Sequence, residues 1–450
     1  MRFSRFLLAL AVVSLLVHAS PVVAQGRQGG PPPAAAGAKA GMEADLLPAE
    51  PVVSQHTGTF SGQTVAYTAE VGWIPIRDEG KVVAKMGYIA YTKNGVTDVS
   101  TRPLDLHRFH GKLADIQSVG DFIYAFINRK GRWPSPKFII GESYGTTRAS
   151  GLVASVQSRF QMWINGVILV SATGLDVERG PEVSFATSLP TQTATAWYHQ
   201  QLAPDLQAKP LRDTLAEAET FAMGEYLAAL VRGDQLTDAE RDAIATKVAR
   251  YSGLDKDYVL QANLRVSFPR HWKELLRDQR MTVGGLDTRY LGIDIDAAGE
   301  RPEYSPELAD WNGPFGAAIN RYLRTELKYN PEIQYYIWGN VRPWAQDPVS
   351  VGDMLRTVMR DNPYLKVLVQ GGYYDAATDY FNAKYTMHHL QPGGEFKDRY
   401  RFAWYESGHM RRDRRCATAL WRGDPWRNRC IDCRRRSAGC RRSGVGKGWP

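Results

Sequence analysis

A serine set between two glycines is the first residue whose surroundings could do chemistry. Residues 141–145 read GESYG, a G-x-S-x-G pattern, with an apolar run before it and a helical pattern after it. Such a serine sits on a tight turn with its hydroxyl clear of the strand end, and the N–H groups of the next helix face developing negative charge. The pattern alone also fits an ordinary turn with a solvated serine. The flanking strand and helix favour Ser143 as a nucleophile.

A serine hydroxyl needs a base, and the base needs a group that orients it. Asp375 follows a strand-like run at 366–370 (KVLVQ), and His409 follows another at 400–405 (YRFAWY). The order Ser, Asp, His, with each residue after a strand, is that of α/β hydrolases. Asp379 is a rival acid, but it lies further on in the next helical run. We therefore predict a triad of Ser143, Asp375 and His409.

The elements that must hold these residues alternate between strand and helix. Runs rich in β-branched and aromatic residues predict an antiparallel hairpin over 65–76 and 81–93. A helical period over 111–128 precedes the serine strand, and a helix over 146–160 and a strand over 163–170 follow it. Strand–helix–strand order implies a parallel sheet with helices on its faces. The prediction is an α/β-hydrolase fold with a mostly parallel sheet.

A long helical block interrupts the predicted core. Residues 51–189 form its first part and residues 346–410 its second, and both carry strand patterns. Between them, residues 190–345 are dominated by helical stretches, one of which opens with a capping box at Thr237. We expect this block to be a helical cap inserted into the hydrolase core.

The two ends of the chain differ from its body. Arg2 and Arg5 precede a short apolar run and a small-residue cleavage pattern, so residues 1–24 are predicted to be a signal peptide for a secreted or periplasmic product that no membrane holds after cleavage. A buried N-terminal helix is the alternative. Residues 25–50 are rich in Gly, Pro and Ala and are predicted to be a disordered linker.

Residues 411–450 hold the basic excess of the chain and all its cysteines. They carry 12 Arg, one Lys and three Asp, whereas the rest of the chain has 43 basic and 44 acidic residues and offers no reason to propose a nucleic-acid partner. Cys430 and Cys433 have the spacing of half a zinc site, but the segment has no His and no second such pair. We predict that this tail is unstructured.

The motifs GESYGTTRASGL, GGYYD and ESGHM resemble the serine carboxypeptidase family, especially its bacterial secreted branch, over roughly residues 50–410. The resemblance implies the same three triad residues. It also implies that the backbone N–H of Tyr144 is an oxyanion donor and that Glu142 helps to bind the terminal carboxylate of a substrate. The helical block then corresponds to the cap of that family.

Two departures from the family pattern bear on activity. Family members carry an Asn-Gly-Gly-Pro-Gly segment before the nucleophile, which supplies a second oxyanion N–H and further carboxylate-binding groups. No Gly-Gly lies between residues 93 and 137 here, which indicates an internal deletion near residues 103–109. The resemblance also stops after Met410, where the family has a closing helix.

The sequence thus predicts a serine-type carboxypeptidase that releases C-terminal residues through an acyl-enzyme and is impaired by the lost oxyanion segment. An esterase or acyltransferase on the same framework, or a non-catalytic remnant, is the alternative. The expected partner is a peptide or small acyl substrate. No metal or organic cofactor is implied, and the sequence does not indicate an oligomeric state.

Overall fold

The structure is a computed structural model of the chain and describes residues 50–60, 62–78, 81–95, 111–175, 177, 180–330, 335, 337 and 349–410. The predicted signal peptide and basic tail lie outside these residues, as do the linker up to residue 49 and the predicted deletion at 103–109. None of the described helices is long and apolar enough to cross a membrane.

The described strands and helices have the following bounds. The strands are β1 Val52–Phe60, β2 Gln63–Asp78, β3 Lys81–Lys93, β4 Phe138–Glu142, β5 Gly166–Val170, β6 Thr282–Val283, β7 Leu291–Gly292, β8 Lys366–Gly372 and β9 Tyr400–Tyr405. The α-helices are α1 Lys112–Lys130, α2 Tyr144–Phe160, α3 Pro181–Tyr198, α4 Pro204–Gln207, α5 Leu211–Phe221, α6 Leu227–Arg232, α7 Asp238–Ser252, α8 Lys256–Gln261, α9 Phe268–Glu274, α10 Pro306–Arg321, α11 Val351–Asp361 and α12 Tyr380–Leu390. Shorter 3-10 or π turns lie at Ala222–Tyr226, Gly233–Gln235, Arg277–Gln279 and Tyr322–Glu326.

Strands β1, β2 and β3 form an antiparallel sheet in that order. The predicted hairpin is confirmed and is longer than the sequence indicated, because β2 and β3 pair from Asp78 and Lys81 back to Tyr67 and Lys93. Strand β1 was not predicted. Its residues alternate between half-buried and exposed, as expected of an edge strand with one face packed.

Strands β4, β5, β8 and β9 form a parallel sheet in the order β4-β5-β8-β9. Consecutive strands of this sheet are joined by helices, which is the connection that parallel strands require. The predicted α/β class, with a parallel sheet flanked by helices, is therefore confirmed. All four strands run the same way, so their carboxyl ends meet at one edge.

The core packs helices α1, α2 and α11 with the parallel sheet. Ile116, Phe122 and Leu152 on the helices and Val167 and Val369 on the strands are fully buried in one apolar cluster. Within the described residues, no strand pairs with the outer edge of β4. Large side chains on one face of β4 remain about one-third exposed, with Phe138 at 36% and Ile140 at 37%.

A second apolar cluster is built mainly from helices α3 to α9. Leu189, Leu215 and Val259 lie within it, and it reaches Tyr373 and Phe381 beside the loop that follows β8. This helical block begins with α3 at Pro181, nine residues before the predicted boundary at 190, because proline is favoured in the first turn of a helix. The predicted capping box is present, with Thr237 accepting from the Glu240 N–H.

Candidate active site

Ser143 occupies the turn between β4 and α2. Its backbone has φ 54° and ψ −126°, a region that non-glycine residues adopt only under strain. The turn is close enough that a Cβ on Gly141 would lie 2.0 Å from the carbonyl oxygen of Gly145. The sequence therefore needs glycine at 141, and the strain at Ser143 marks a site where the fold holds a residue in an unfavourable conformation.

Asp375 lies in the loop after β8, and its fully buried carboxylate is well satisfied. Oδ1 accepts from the backbone N–H groups of Ala377 at 3.1 Å and Thr378 at 2.9 Å. Oδ2 accepts from the Thr378 hydroxyl at 2.7 Å and faces Nδ1 of His409 at 2.9 Å. The rival Asp379 instead accepts from the Asn382 N–H and caps α12. Of the two acids, Asp375 is the one hydrogen-bonded to His409.

His409 follows β9 and is 1% exposed. Its backbone N–H donates to the carbonyl of Leu286 at 2.7 Å, and its own carbonyl accepts from the Ser171 hydroxyl at 3.1 Å. Burial alone lowers the pKa of His409, but the charge and hydrogen bond of Asp375 and the charges of Glu142 and Glu307 outweigh it, so the pKa lies above its ordinary value.

Ser143 and His409 are each hydrogen-bonded to one of two consecutive residues at the end of β5. The Ser143 N–H donates to the Val170 carbonyl at 2.9 Å, and the next residue, Ser171, holds His409. His409 Nε2 is buried without a hydrogen-bond partner in the described residues, so its bond to the Ser143 hydroxyl is not formed. Catalytic hydrogen bonds are often long in unliganded sites and tighten when substrate binds.

Glu142 is the last residue of β4 and is mostly buried. Burial raises the pKa of Glu142, the charge of Asp375 raises it further, and His409 opposes both. This agrees with a carboxyl group that keeps its proton to higher pH than an exposed glutamate. No described residue forms a hydrogen bond with its side chain.

Tyr144 is the first residue of α2, where backbone N–H groups lack intrahelical partners. Its hydroxyl donates to Oδ2 of Asp115 at 3.0 Å, and Arg148 donates to the same oxygen at 2.5 Å. Asp115 is fully buried and Arg148 is 2% exposed. A buried ion pair on α1 and α2 therefore supports the helix whose amino end faces the nucleophile.

Sequence reasoning missed several residues that surround the triad. Thr378 contacts both Asp375 and His409 Nδ1, the latter at 3.2 Å. Its spacing of three residues after Asp375 is that of a local side-chain-to-backbone turn and could have identified it. Ser171 and Leu286 carry no such signal, because their contacts with His409 span long stretches of chain.

The candidate nucleophile Ser143 follows β4, the candidate acid Asp375 follows β8 and the candidate base His409 follows β9, all at the same edge of one parallel sheet. This order agrees with the predicted α/β-hydrolase arrangement. Among the residues that the structure describes, no group of three or more His, Cys, Asp or Glu side chains could hold a metal ion.

No protein-family model and no curated protein sequence matches the chain. Among solved structures, it is similar to feruloyl esterase B from Aspergillus oryzae, with 14% identity, a TM-score of 0.32, and 78% of this chain and 79% of that one covered. It is also similar to a highly thermostable carboxyl esterase from Bacillus coagulans, with 11% identity, a TM-score of 0.28, and 82% and 96% covered. At these scores the likeness carries no argument about function.

Proposed function

We propose that the chain is a serine hydrolase that acts as a carboxypeptidase through an acyl-enzyme on Ser143. The observation that supports it is the buried Asp375–His409 pair, which follows strands of the same parallel sheet as the strained turn at Ser143. The proposed substrates are peptides, and the proposed location is outside the cytoplasm, as the predicted signal peptide suggests.

In the proposed reaction, His409 Nε2 takes the proton of the Ser143 hydroxyl as the oxygen attacks the scissile carbonyl. Asp375 accepts from Nδ1 and stabilises the imidazolium that forms. The imidazolium then gives its proton to the departing amine, and the carbon–nitrogen bond breaks. Water attacks the acyl-enzyme by the same route in reverse, releasing the acid and restoring the serine. The Tyr144 N–H and the amino end of α2 stabilise the oxyanion.

Glu142 supports the choice of a substrate with a free terminal carboxylate. As a charged group it would repel that carboxylate, whereas in its protonated form it donates a hydrogen bond to it. The raised pKa of Glu142 keeps the donor form to higher pH than usual. Turnover should nevertheless be slow if one oxyanion donor is missing, since such a loss costs about 10²–10³ in rate.

An esterase or acyltransferase is the second candidate. In the described residues, no side chain is hydrogen-bonded to the Glu142 carboxyl, so none orients it toward the terminal carboxylate of a peptide. An ester substrate has no terminal carboxylate and does not require Glu142 to be oriented. A non-catalytic remnant is the remaining candidate. The missing hydrogen bond between the Ser143 hydroxyl and His409 is the observation that favours it.

The test uses the purified full chain with a fluorophosphonate probe, followed by a substrate panel. We expect one covalent adduct, on Ser143, and none in Ser143→Ala. Unlabelled protein from the same preparation is then compared on a peptide, the same peptide with an amidated C-terminus, and a matched ester. If the peptide with a free C-terminal carboxylate is cleaved and the amidated peptide is not, the result supports a carboxypeptidase. Cleavage of only the ester supports the second candidate, and labelling that survives Ser143→Ala overturns the proposal.

A further inference from the structure

The helical block reaches the catalytic base through one short loop. Residues 284–288 (GGLDT) lie between β6 and β7, and their backbone bonds to both triad loops. The Leu286 carbonyl accepts from the His409 N–H at 2.7 Å, and the Gly285 carbonyl accepts from the Ala376 N–H at 3.2 Å. The Thr288 N–H donates to the Tyr374 carbonyl at 2.9 Å. The loop therefore bridges the residues on either side of Asp375 and the base itself.

A single buried carboxyl group holds that loop from the other side. Glu307, in the first turn of α10, is fully buried, and its Oε1 accepts from the Leu286 N–H at 2.7 Å. Its second oxygen lies against Gly284, where a Cβ would come within 2.2 Å of it. Leu286 thus donates to Glu307 through its N–H and accepts from His409 through its carbonyl. The Leu286 N–H shares a rigid peptide plane with the Gly285 carbonyl, which accepts from Ala376 beside Asp375, and the carbonyl that binds His409 lies in the next peptide along the backbone.

We propose that Glu307 is a positioning residue for His409, acting through the backbone of the loop at Leu286 to fix the base against Asp375. This inference rests on the proposed function, since it assigns His409 the role of base. It also gives the helical block a second task besides covering the substrate: it supplies part of the scaffold of the triad.

The chemistry of Glu307 fits a hydrogen-bond acceptor better than a fixed charge. Burial raises the pKa of Glu307 most, backbone N–H groups lower it and the charge of Asp287 raises it, and together they bring it to about 7. Either protonation state keeps an oxygen that accepts from the Leu286 N–H. A glutamine of the same shape should therefore replace it, whereas alanine leaves a buried N–H without its partner.

The experiment compares E307A, E307Q and the control E182A by hydrogen exchange and by reaction with a fluorophosphonate. Glu182 is also a glutamate of the helical block, but it lies in the first turn of α3 and pairs with Arg265 rather than with the GGLDT loop. In E307A we expect the His409 amide to exchange about tenfold faster and Ser143 to be labelled about tenfold more slowly. At a pH high enough for His409 to be neutral in every variant, E307Q and E182A should stay near the parent in both, and on p-nitrophenyl acetate E307A should lower kcat with little change in KM.

The outcomes separate this inference from the proposed function. If Ser143→Ala is still labelled, the proposed function fails. If the parent is labelled at Ser143 but E307A exchanges and reacts like the parent, only the inference fails. It also fails if E307Q is as slow as E307A, because charge would then matter rather than the hydrogen bond. Should E307A not fold, E307D takes its place: it keeps the charge but is one methylene too short to reach Leu286, and the same effects are expected.

Discussion

The two halves of the candidate triad are held in different ways. The acid–base half is built from three distant segments that hydrogen-bond to one another, with Asp375, Thr378 and Leu286 all contacting His409. The nucleophile half consists of a strained serine whose hydroxyl has no hydrogen-bond partner in the described residues. Its strand β4 lies at the edge of the described parallel sheet, whereas β8 is paired on both sides.

This difference indicates that the acid–base half is preorganised without substrate, whereas the nucleophile half depends on local strain and on the helix behind it. Substitutions in the acid–base half should therefore change mainly the rate at which Ser143 is labelled. Substitutions beneath Ser143 should change mainly the free energy of unfolding. The following predictions test that separation, from the largest expected effect to the smallest.

Asp375→Asn should lower the rate of labelling at Ser143 by about 10⁴, because an amide does not hold the imidazole in the required tautomer. The melting midpoint should change little, since the amide keeps the shape of the carboxylate. Asp379→Asn is the matched control: it alters the cap of α12, four residues away, and should leave the labelling rate near that of the parent. Equal losses in the two variants would mean that Asp375 has no special role.

Asp115→Ala should lower the free energy of unfolding by about 3–5 kcal/mol, the range for removing one member of a buried ion pair. Asp121→Ala is the control on the same two helices: its pair with Arg159 is more than one-third exposed, and its loss should cost at most about 1 kcal/mol. Urea unfolding of both variants gives the comparison. If the two curves coincide, the support beneath the nucleophile is not the Asp115–Arg148 pair.

Thr378→Val should slow the labelling of Ser143 by about tenfold, because it removes a hydroxyl that donates to the buried Asp375 carboxylate. Thr378→Ser keeps the hydroxyl and should restore most of the rate. A serine variant as slow as the valine variant would assign the effect to packing instead.

The rate at which Ser143 is labelled should rise with pH at the acidic end of its pH profile. Glu142→Gln should shift that rise to lower pH by about one unit or less. His409 must be neutral to act as base, so the rate rises as pH passes its pKa, and the charge of Glu142 raises that pKa. Glutamine carries no charge, so the pKa of His409 falls. Glu406→Gln, at an exposed residue, is the control and should leave that rise in place. A shift to higher pH would contradict this electrostatic coupling.

Much of the fold and of the candidate site follows from local patterns. The serine turn needs glycine at 141 because the chain passes within van der Waals contact of itself, and that requirement is visible in GESYG. The apolar runs before Asp375 and His409 mark buried parallel strands, because such strands have no polar face. By contrast, β1 escaped prediction, because apolar and polar residues in VVSQHTGTF do not alternate clearly.

The sequence by itself determined the α/β class, the strained turn at Ser143 and the order in which the three candidate triad residues follow their strands. These depend on side-chain periodicity and turn geometry over a few residues. Only the tertiary structure decided that Asp375 rather than Asp379 meets His409, that Leu286 bonds to His409 from 123 residues away along the chain, and that Glu307 bonds to Leu286. It also set the raised pKa values of Glu142 and His409, because burial and charge at a site are summed over segments that no local pattern connects.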